Sequence, residues 1–203
     1  MINELIKRYP ALESQKENLE KCVEILEDTY NKGGKILVCG NGGSAADSEH
    51  IVGELMKGFL SMRPVTDDER KSLNNDEIAD NLQRAIPAIS LVSQSAIMTA
   101  YMNDVKPDMM YAQLAFGYAT ENDTLIGIST SGNSSNVVNA VLAAKAKGAK
   151  TISMTGVKDS KLSAISDVTL KAPETETYKV QELTLPVYHH LCASVEKTLF
   201  GGR

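Results

Sequence analysis

The stretch from Lys35 to Glu54, KILVCGNGGSAADSEHIVGE, places a buried-strand pattern, a glycine turn and a helix start in direct succession. Its first five residues, 35–39, form a short run that is apolar after Lys35 and partly β-branched, which is typical of a strand covered on both faces. The turn carries three glycines, which permit backbone angles that other residues resist and let a ligand approach the main chain. They are Gly40, Gly42 and Gly43. The stretch therefore predicts a βα unit of an α/β fold.

The start of the helix after this turn predicts an anion site. Ser44 and Asp47 have the spacing of a capping box, so we expect the helix to begin there with free N–H groups facing the turn. The turn matches neither G-x-G-x-x-G nor G-x-x-x-x-G-K-[ST], which argues against a dinucleotide or a P-loop nucleotide. A smaller anion is the better expectation.

His50 and Glu54 lie further along the same predicted helix, four residues apart and hence on one face. An imidazole and a carboxylate there could bind a metal ion or move a proton. By spacing alone, a solvated or salt-bridged helix face is an equally good interpretation. The chain has only three histidines, and two of them fall near the same predicted crevice, which favours the chemical interpretation.

Bulk composition limits the class of protein. The 203 residues suit one domain spanning 1–203, and the 42% apolar and 23% charged content is ordinary for a globular protein. A net charge of -5 argues against a general binder of nucleic acid. The three cysteines are far apart in apolar contexts and predict buried free thiols. Without a signal-peptide or membrane-spanning pattern, we expect a cytoplasmic protein that does not contact membranes.

The N-terminal segment 1–33 is predicted to be helical and to be divided by Pro10. Its apolar stripe could pack on the α/β body or on another subunit, and the sequence does not distinguish these. The stripe consists of Leu12, Leu19, Val23, Leu26 and Tyr30. The polar stretch 61–84 is predicted to be a surface insertion or lid with a short helix near 76–83.

The rest of the chain alternates strand and helix patterns, which predicts a doubly wound parallel sheet of five strands flanked by helices. The further strands are expected at 87–92, 124–128, 151–154 and 168–171, and helices at 109–118, 137–147 and 180–199. Asn103 and Asp104 are expected in a loop. In such sheets the ligand lies beyond the carboxyl ends of the strands.

A hydroxyl-rich turn, STSGNSSN at 129–136, follows the predicted strand 124–128. Its hydroxyls, with the N–H groups of the next helix, could supply many neutral donors to one compact anion such as a phosphate monoester. A simple helix cap would need only one Ser or Asn. We therefore favour phosphate binding over capping alone.

Gln181 and His189 lie on the last predicted helix. Eight residues separate them by about 12 Å along the axis and by about 80° around it, which is awkward for one metal ion. A bend at Pro186 could reduce this gap. A buried, satisfied histidine on a core-facing helix is the competing interpretation for His189.

Taken together, these motifs resemble the sugar isomerase (SIS) domain of phosphoheptose isomerases. The motifs are GNGGSAADSEH, the glutamate four places after its histidine, GISTSGNSSNV, and VQE followed by His189. The resemblance runs from about residue 33 to residue 200, with 61–84 longer than the usual connection. It implies a homotetramer with active sites at subunit interfaces, and an aldose–ketose isomerase that converts sedoheptulose 7-phosphate to D-glycero-D-manno-heptose 7-phosphate through an enediol.

The resemblance also implies roles for individual residues. Glu54 would be the base beside the carbonyl and His189 the acid that supplies a proton to oxygen. A zinc ion would be held by His50, Glu54, Gln181 and His189. The sugar would be held by Asn41, Gly42, Gly43, Ser44, Glu54, Asn103, Asp104 and Gln181, and the phosphate by Ser129, Thr130, Ser131 and Ser134. Glu54 would thus serve both as a metal ligand and as a base.

Two features depart from the family pattern. Tyr178 stands where some relatives have an aspartate, and the insertion 61–84 could reshape the mouth of the site. The alternative hypothesis is a non-catalytic SIS protein that binds a sugar phosphate or the bacterial replication initiator. Such relatives lose the acid and base, whereas Glu54 and His189 are both present here.

Overall fold

The structure is a computed structural model, and it describes residues 1–201. Five parallel strands form one sheet in the order β2-β1-β3-β4-β5. The strands are β1 (Ile36–Gly40), β2 (Ala88–Ser90), β3 (Thr124–Ile128), β4 (Lys150–Thr155) and β5 (Val168–Lys171). The predicted fold class, α/β with a five-stranded parallel sheet, is confirmed.

Ten α-helices surround this sheet within residues 1–201. They are α1 (Ile2–Arg8), α2 (Lys16–Asn31), α3 (Gly43–Met56), α4 (Asp67–Leu73), α5 (Asp76–Asn81), α6 (Ser95–Asp104), α7 (Met110–Tyr118), α8 (Ser135–Ala146), α9 (Lys161–Ile165) and α10 (Thr177–Phe200). Three short 3₁₀ helices lie at Pro10–Gln15, Leu91–Ser93 and Pro107–Met109. Within residues 1–201, every helix is too short or too polar to span a bilayer.

Both faces of the sheet are covered, because alternate residues of each strand point to opposite sides. On one face, Ile36 and Val38 belong to an apolar cluster with α2, α3 and α10. On the other, Leu37 and Cys39 pack with α7 and α8. The N-terminal stripe lies in the first cluster, where Leu12, Leu19 and Leu26 are fully buried, so it packs on the α/β body of its own chain.

Two local predictions were inaccurate. Asn103 and Asp104 are the last residues of α6 and not a loop, because the helix that begins at Ser95 continues through them. The segment 61–84 contains two short helices, α4 and α5, where one was expected. Each begins at a side-chain cap: Thr66 forms a capping box with Glu69, and Asn75 accepts from the N–H of Ile78.

Candidate active site

The strand order reverses between β1 and β3, because the chain moves from β1 outward to β2 and then returns to the other side of β1. Ligands of open parallel sheets bind at such a switch point, beyond the carboxyl ends of the strands. The glycine turn follows β1 and the serine turn follows β3, so the two turns flank this point. Asn41 and Asn136 join them by a reciprocal pair of amide hydrogen bonds of 2.9 and 2.8 Å.

The glycine turn does not contain the predicted capping box, and that prediction was wrong. Helix α3 already begins at Gly43, and its N-cap is Gly42, whose φ of +57° suits glycine. Ser44 is therefore a helical residue, 3% exposed, and does not cap the helix. Its N–H donates to the carbonyl of Asn41 at 3.0 Å.

Hydroxyl groups of the serine turn contact one another and do not cap the following helix. Ser129 is buried, and its Oγ lies 3.0 Å from that of Ser134 and 3.5 Å from that of Ser131. Ser134 is the N-cap residue of α8 but makes no side-chain capping bond. Gly132, with a φ of +65°, closes the turn. Thr130, which lies between Ser129 and Ser131 in the chain, is half-buried. A cluster of this kind offers several donors to one external anion.

Helices α3 and α10 bring His50, Glu54 and His189 together. The Nε2 atom of His50 lies 3.2 Å from Oε1 of Glu54 and 3.5 Å from Nε2 of His189. Glu54 is mostly covered, with 14% of its side chain exposed, and its Oε2 accepts from the Lys57 ammonium at 2.9 Å. His50 thus contacts both a carboxylate on its own helix and an imidazole on α10, a helix far away in the chain.

The surroundings of His189 lower the pKa of its imidazole. Burial lowers the pKa of His189, and the nearby His50 lowers it further, whereas Glu54 acts in the opposite direction. The ring also lies beside Phe59, with the two ring centroids 5.4 Å apart. A neutral imidazole can donate a proton at one nitrogen and accept at the other.

Tyr188 connects His50 to a second carboxylate. Its hydroxyl shares a 2.9 Å hydrogen bond with Nδ1 of His50 and donates to Oδ1 of Asp47 at 3.4 Å. Burial raises the pKa of Asp47, while the bond from Tyr188 and the charge of His50 act to lower it. The second ring nitrogen of His50 is thereby held by a side-chain relay, which orients its Nε2 towards Glu54 and His189.

Other predicted site residues lie apart from this cluster. The amide of Gln181 lies against Gly43, where a Cβ atom would collide with it. Helix α10 is continuous through Pro186, so Gln181 remains about 12 Å from His189 along the axis. Asn103 and Asp104 are exposed and bond to each other at 2.8 Å. Hydrogen bonds within residues 1–201 join neither of them to the other predicted site residues.

The fit of a metal ion can be judged from these positions. Ligand atoms of a tetrahedral zinc site lie about 3.3 Å apart, close to the spacing of the two Nε2 atoms of His50 and His189 and to that of His50 and Glu54. Nevertheless, no three His, Cys, Asp or Glu side chains in the described part of the chain are arranged so that they could hold a metal ion. The donor types and pairwise spacings suit zinc, but the complete ligand set is not assembled.

The sequence did not predict the contacts of Asp47, Lys57, Asn136 and Tyr188, although Asp47 had been placed at the helix start and Asn136 in the serine turn. Two of them carried a local signal. Asp47 precedes His50 by three residues and Lys57 follows Glu54 by three, so each pair shares a helix face. Asn136 and Tyr188 carried none, since their partners are 95 and 138 residues away.

Comparison with known proteins identifies the family. Residues 2–156 match the model of the SIS domain family. The phosphoheptose isomerase of Aliarcobacter butzleri is 35% identical over 93% of this chain and 89% of its own length. That of Helicobacter pylori strain P12 is 37% identical over 92% and 87%.

A solved structure is similar as well. The phosphoheptose isomerase of Neisseria gonorrhoeae superimposes with a TM-score of 0.77 at 29% identity, covering 96% of this chain and 94% of that one. Sequence and fold thus agree. The chain belongs to the SIS domain family and, within it, to the family of phosphoheptose isomerases.

Proposed function

We propose that this protein is an aldose–ketose isomerase that converts sedoheptulose 7-phosphate to D-glycero-D-manno-heptose 7-phosphate. The observation that carries the proposal is the contact of His50 with both Glu54 and His189 between α3 and α10, in a chain of the phosphoheptose isomerase family. Interconversion through an enediol needs a base beside the carbonyl and an acid at its oxygen. A carboxylate and an imidazole are suitable groups.

In this mechanism, Glu54 removes the proton from the hydroxyl-bearing carbon next to the carbonyl, while His189 donates a proton to the carbonyl oxygen. The enediol then collapses in the other direction. Glu54 returns its proton to the former carbonyl carbon, and His189 takes one from the neighbouring hydroxyl. Each group ends in its starting protonation state. Lys57, on the second oxygen of Glu54, holds the carboxylate in place between these steps.

The substrate would be held from both turns. The phosphate would bind to the hydroxyl cluster of Ser129, Thr130, Ser131 and Ser134. The sugar would bind to Asn41, Gly42, Gly43, Ser44, Glu54, Asn103, Asp104 and Gln181. Each polar end of Asn41 uses one of its two hydrogen-bonding positions on Asn136, so Asn41 can also contact a sugar hydroxyl.

We also propose that the site binds a zinc ion. Its ligands would be His50, Glu54, Gln181 and His189. A bound zinc ion would act as a Lewis acid that polarises the carbonyl of the substrate. Gln181 and His189 of one chain are too far apart along α10 to meet at one ion. We therefore propose that the complete site includes groups from two subunits of a homotetramer.

We further propose that residues 1–203 form a single domain in which 61–84 is an insertion.

The proposal that one site uses two subunits has a direct test. A mixture of two inactive variants, Glu54→Gln and Ser129→Ala/Ser134→Ala, should recover activity when their subunits exchange if one site uses both chains. If each site lies within one chain, mixing restores nothing.

The isomerase proposal is tested with wild-type protein and Glu54→Gln, each supplied with zinc and sedoheptulose 7-phosphate. We expect wild-type turnover and solvent deuterium incorporation at the carbon beside the carbonyl. The variant should bind substrate and lose turnover by about 10²- to 10⁴-fold. Binding without turnover in the wild type would favour the non-catalytic SIS alternative.

A further inference from the structure

A fully buried ion pair, Arg63 with Glu196, lies at the base of the insertion. Nε of Arg63 donates to Oε1 of Glu196 at 2.7 Å, and the two side chains are 0% and 2% exposed. Burying two charges has a large desolvation cost, and apolar residues of similar volume are often as stable or more so. Stability alone is therefore a weak reason for this pair to be present.

The contacts of Arg63 lead directly to the helix that carries the proposed base. Its Nη1 donates to the carbonyl of Leu55 at 2.7 Å, and its Nη2 to the carbonyl of Glu54 at 3.3 Å. These carbonyls belong to the last turn of α3, where carbonyl groups have no partner within the helix. Arg63 thus bonds the main chain of Glu54 itself.

Contacts of Glu196 lead in the same way to the helix that carries the proposed acid. Glu196 lies seven residues after His189 on α10, which is nearly two full turns, so the two side chains share one face about 10 Å apart. Its carboxylate also accepts from the N–H groups of Phe59, Leu60 and Ser61 at 2.7, 2.7 and 3.1 Å.

All acceptor capacity of this carboxylate is therefore used by fixed donors. Burial by itself raises the pKa of Glu196, but the bonds from Phe59, Leu60 and Arg63 outweigh it and hold the pKa below its usual range. The loop 57–61, which ends α3 and carries Phe59 against His189, is tied to α10 by the same group. The pair has no freedom to change partners.

We infer that Arg63 and Glu196 are positioning residues, which clamp the end of α3 to α10 and thereby set the spacing between Glu54 and His189. This inference rests on the proposed function, since it assigns a purpose to that spacing. Neither residue touches substrate in this scheme. A displacement of about 1 Å at reacting groups can cost about 100-fold in rate, so the clamp matters for turnover more than for binding.

The test compares Arg63→Lys with the wild type. Lysine retains the charge but cannot reach Glu196 and two carbonyls at once. We expect kcat to fall by about 10- to 100-fold. KM should stay within twofold of the wild-type value, because the substitution does not touch the serine turn. A folded Arg63→Lys protein with unchanged kcat would overturn the inference.

Arg70→Lys is the matched control, because Arg70 lies in the same insertion and pairs with Asp76 and Asp80 at the surface. Its kcat should not change. Should Arg63→Lys fail to fold, the double variant Arg63→Met/Glu196→Leu replaces both charges with apolar groups. We expect it to fold and to stay slow, and full kcat in this variant would contradict the clamp.

A crystal structure of the folded variant separates this inference from the proposed function. If the wild type shows no isomerase activity, the proposed function fails, and the clamp is judged by geometry alone. The Nε2 atoms of His50 and His189 should then lie further apart than the 3.5 Å found here. An unchanged separation would show that the pair does not set it.

Discussion

Among the polar contacts that join helices α3 and α10, two have opposite character. The Arg63–Glu196 pair is buried, and its polar atoms are saturated by side chains and backbone. The His50–Glu54–His189 cluster is partly open to solvent, with 43% of the His50 side chain exposed, and its bonds of 3.2 and 3.5 Å are long. Saturated polar groups hold structure, whereas unsaturated ones remain available to a ligand or a proton. The Arg63–Glu196 pair is therefore suited to a structural role, and the His50–Glu54–His189 cluster to a chemical one.

Removing the saturated carboxylate should have the largest effect on stability. Glu196→Ala leaves the Arg63 charge buried without a partner, so we expect a loss of about 3–5 kcal/mol in the free energy of unfolding. Urea denaturation at pH 7 measures it. A loss below about 1 kcal/mol would mean that water reaches Arg63, and the two contacts would then not differ as described.

The open cluster should respond in the reverse manner. His189→Asn removes the proposed acid, so kcat should fall by about 10²- to 10⁴-fold while the free energy of unfolding changes by less than about 1 kcal/mol. Steady-state kinetics and the same denaturation assay provide both values. A large loss of unfolding free energy with unchanged kcat would show that His189 has a structural role and not a catalytic one.

A third carboxylate sharpens the comparison, because it is saturated like Glu196 but takes no part in the contact between α3 and α10. Asp123 precedes β3 and accepts from Lys35 and Thr120 through both their N–H groups and their side chains. Burial acts to raise the pKa of Asp123, but these bonds outweigh it and lower the pKa below its ordinary value. Stability from this group is therefore present above about pH 4 and is lost as the pH falls through the lowered pKa.

Asp123→Asn should lose about 1.5–3 kcal/mol of unfolding free energy at pH 7 and leave kcat unchanged. Its deficit relative to the wild type should shrink below about pH 4, because the wild-type carboxylate becomes protonated there. Denaturation at several pH values tests this. A deficit that stays constant down to pH 2 would be inconsistent with the lowered pKa.

The smallest effect is expected at the relay behind His50. Tyr188→Phe removes the hydroxyl between His50 and Asp47, so we expect a stability loss of about 1 kcal/mol. In the proposed zinc site, loss of the hydroxyl that orients His50 should weaken zinc binding by about 10- to 100-fold. Calorimetric titration of the apoprotein with zinc measures this independently of turnover. Equal zinc affinity in the two proteins would show that the relay does not orient His50.

The sequence by itself was sufficient for the fold class and for the placement of several candidate residues on their elements. Strand and helix patterns depend on neighbouring residues, so β1, β3, β5 and their turns could be located from local periodicity. His50 and Glu54 share a face for the same local reason. Local rules failed where a backbone angle decided, as at Gly42, whose positive φ starts α3 before Ser44.

Only the tertiary structure decided which groups meet. His50 and His189 are 139 residues apart in the chain, and Arg63 and Glu196 are 133 apart. Neither pairing has a sequence period, because each depends on how α3 and α10 cross over the same face of the sheet. The tertiary structure also decided burial. Arg63 belongs to the polar stretch 61–84, which was predicted to lie at the surface, but the packing of α10 buries its side chain completely.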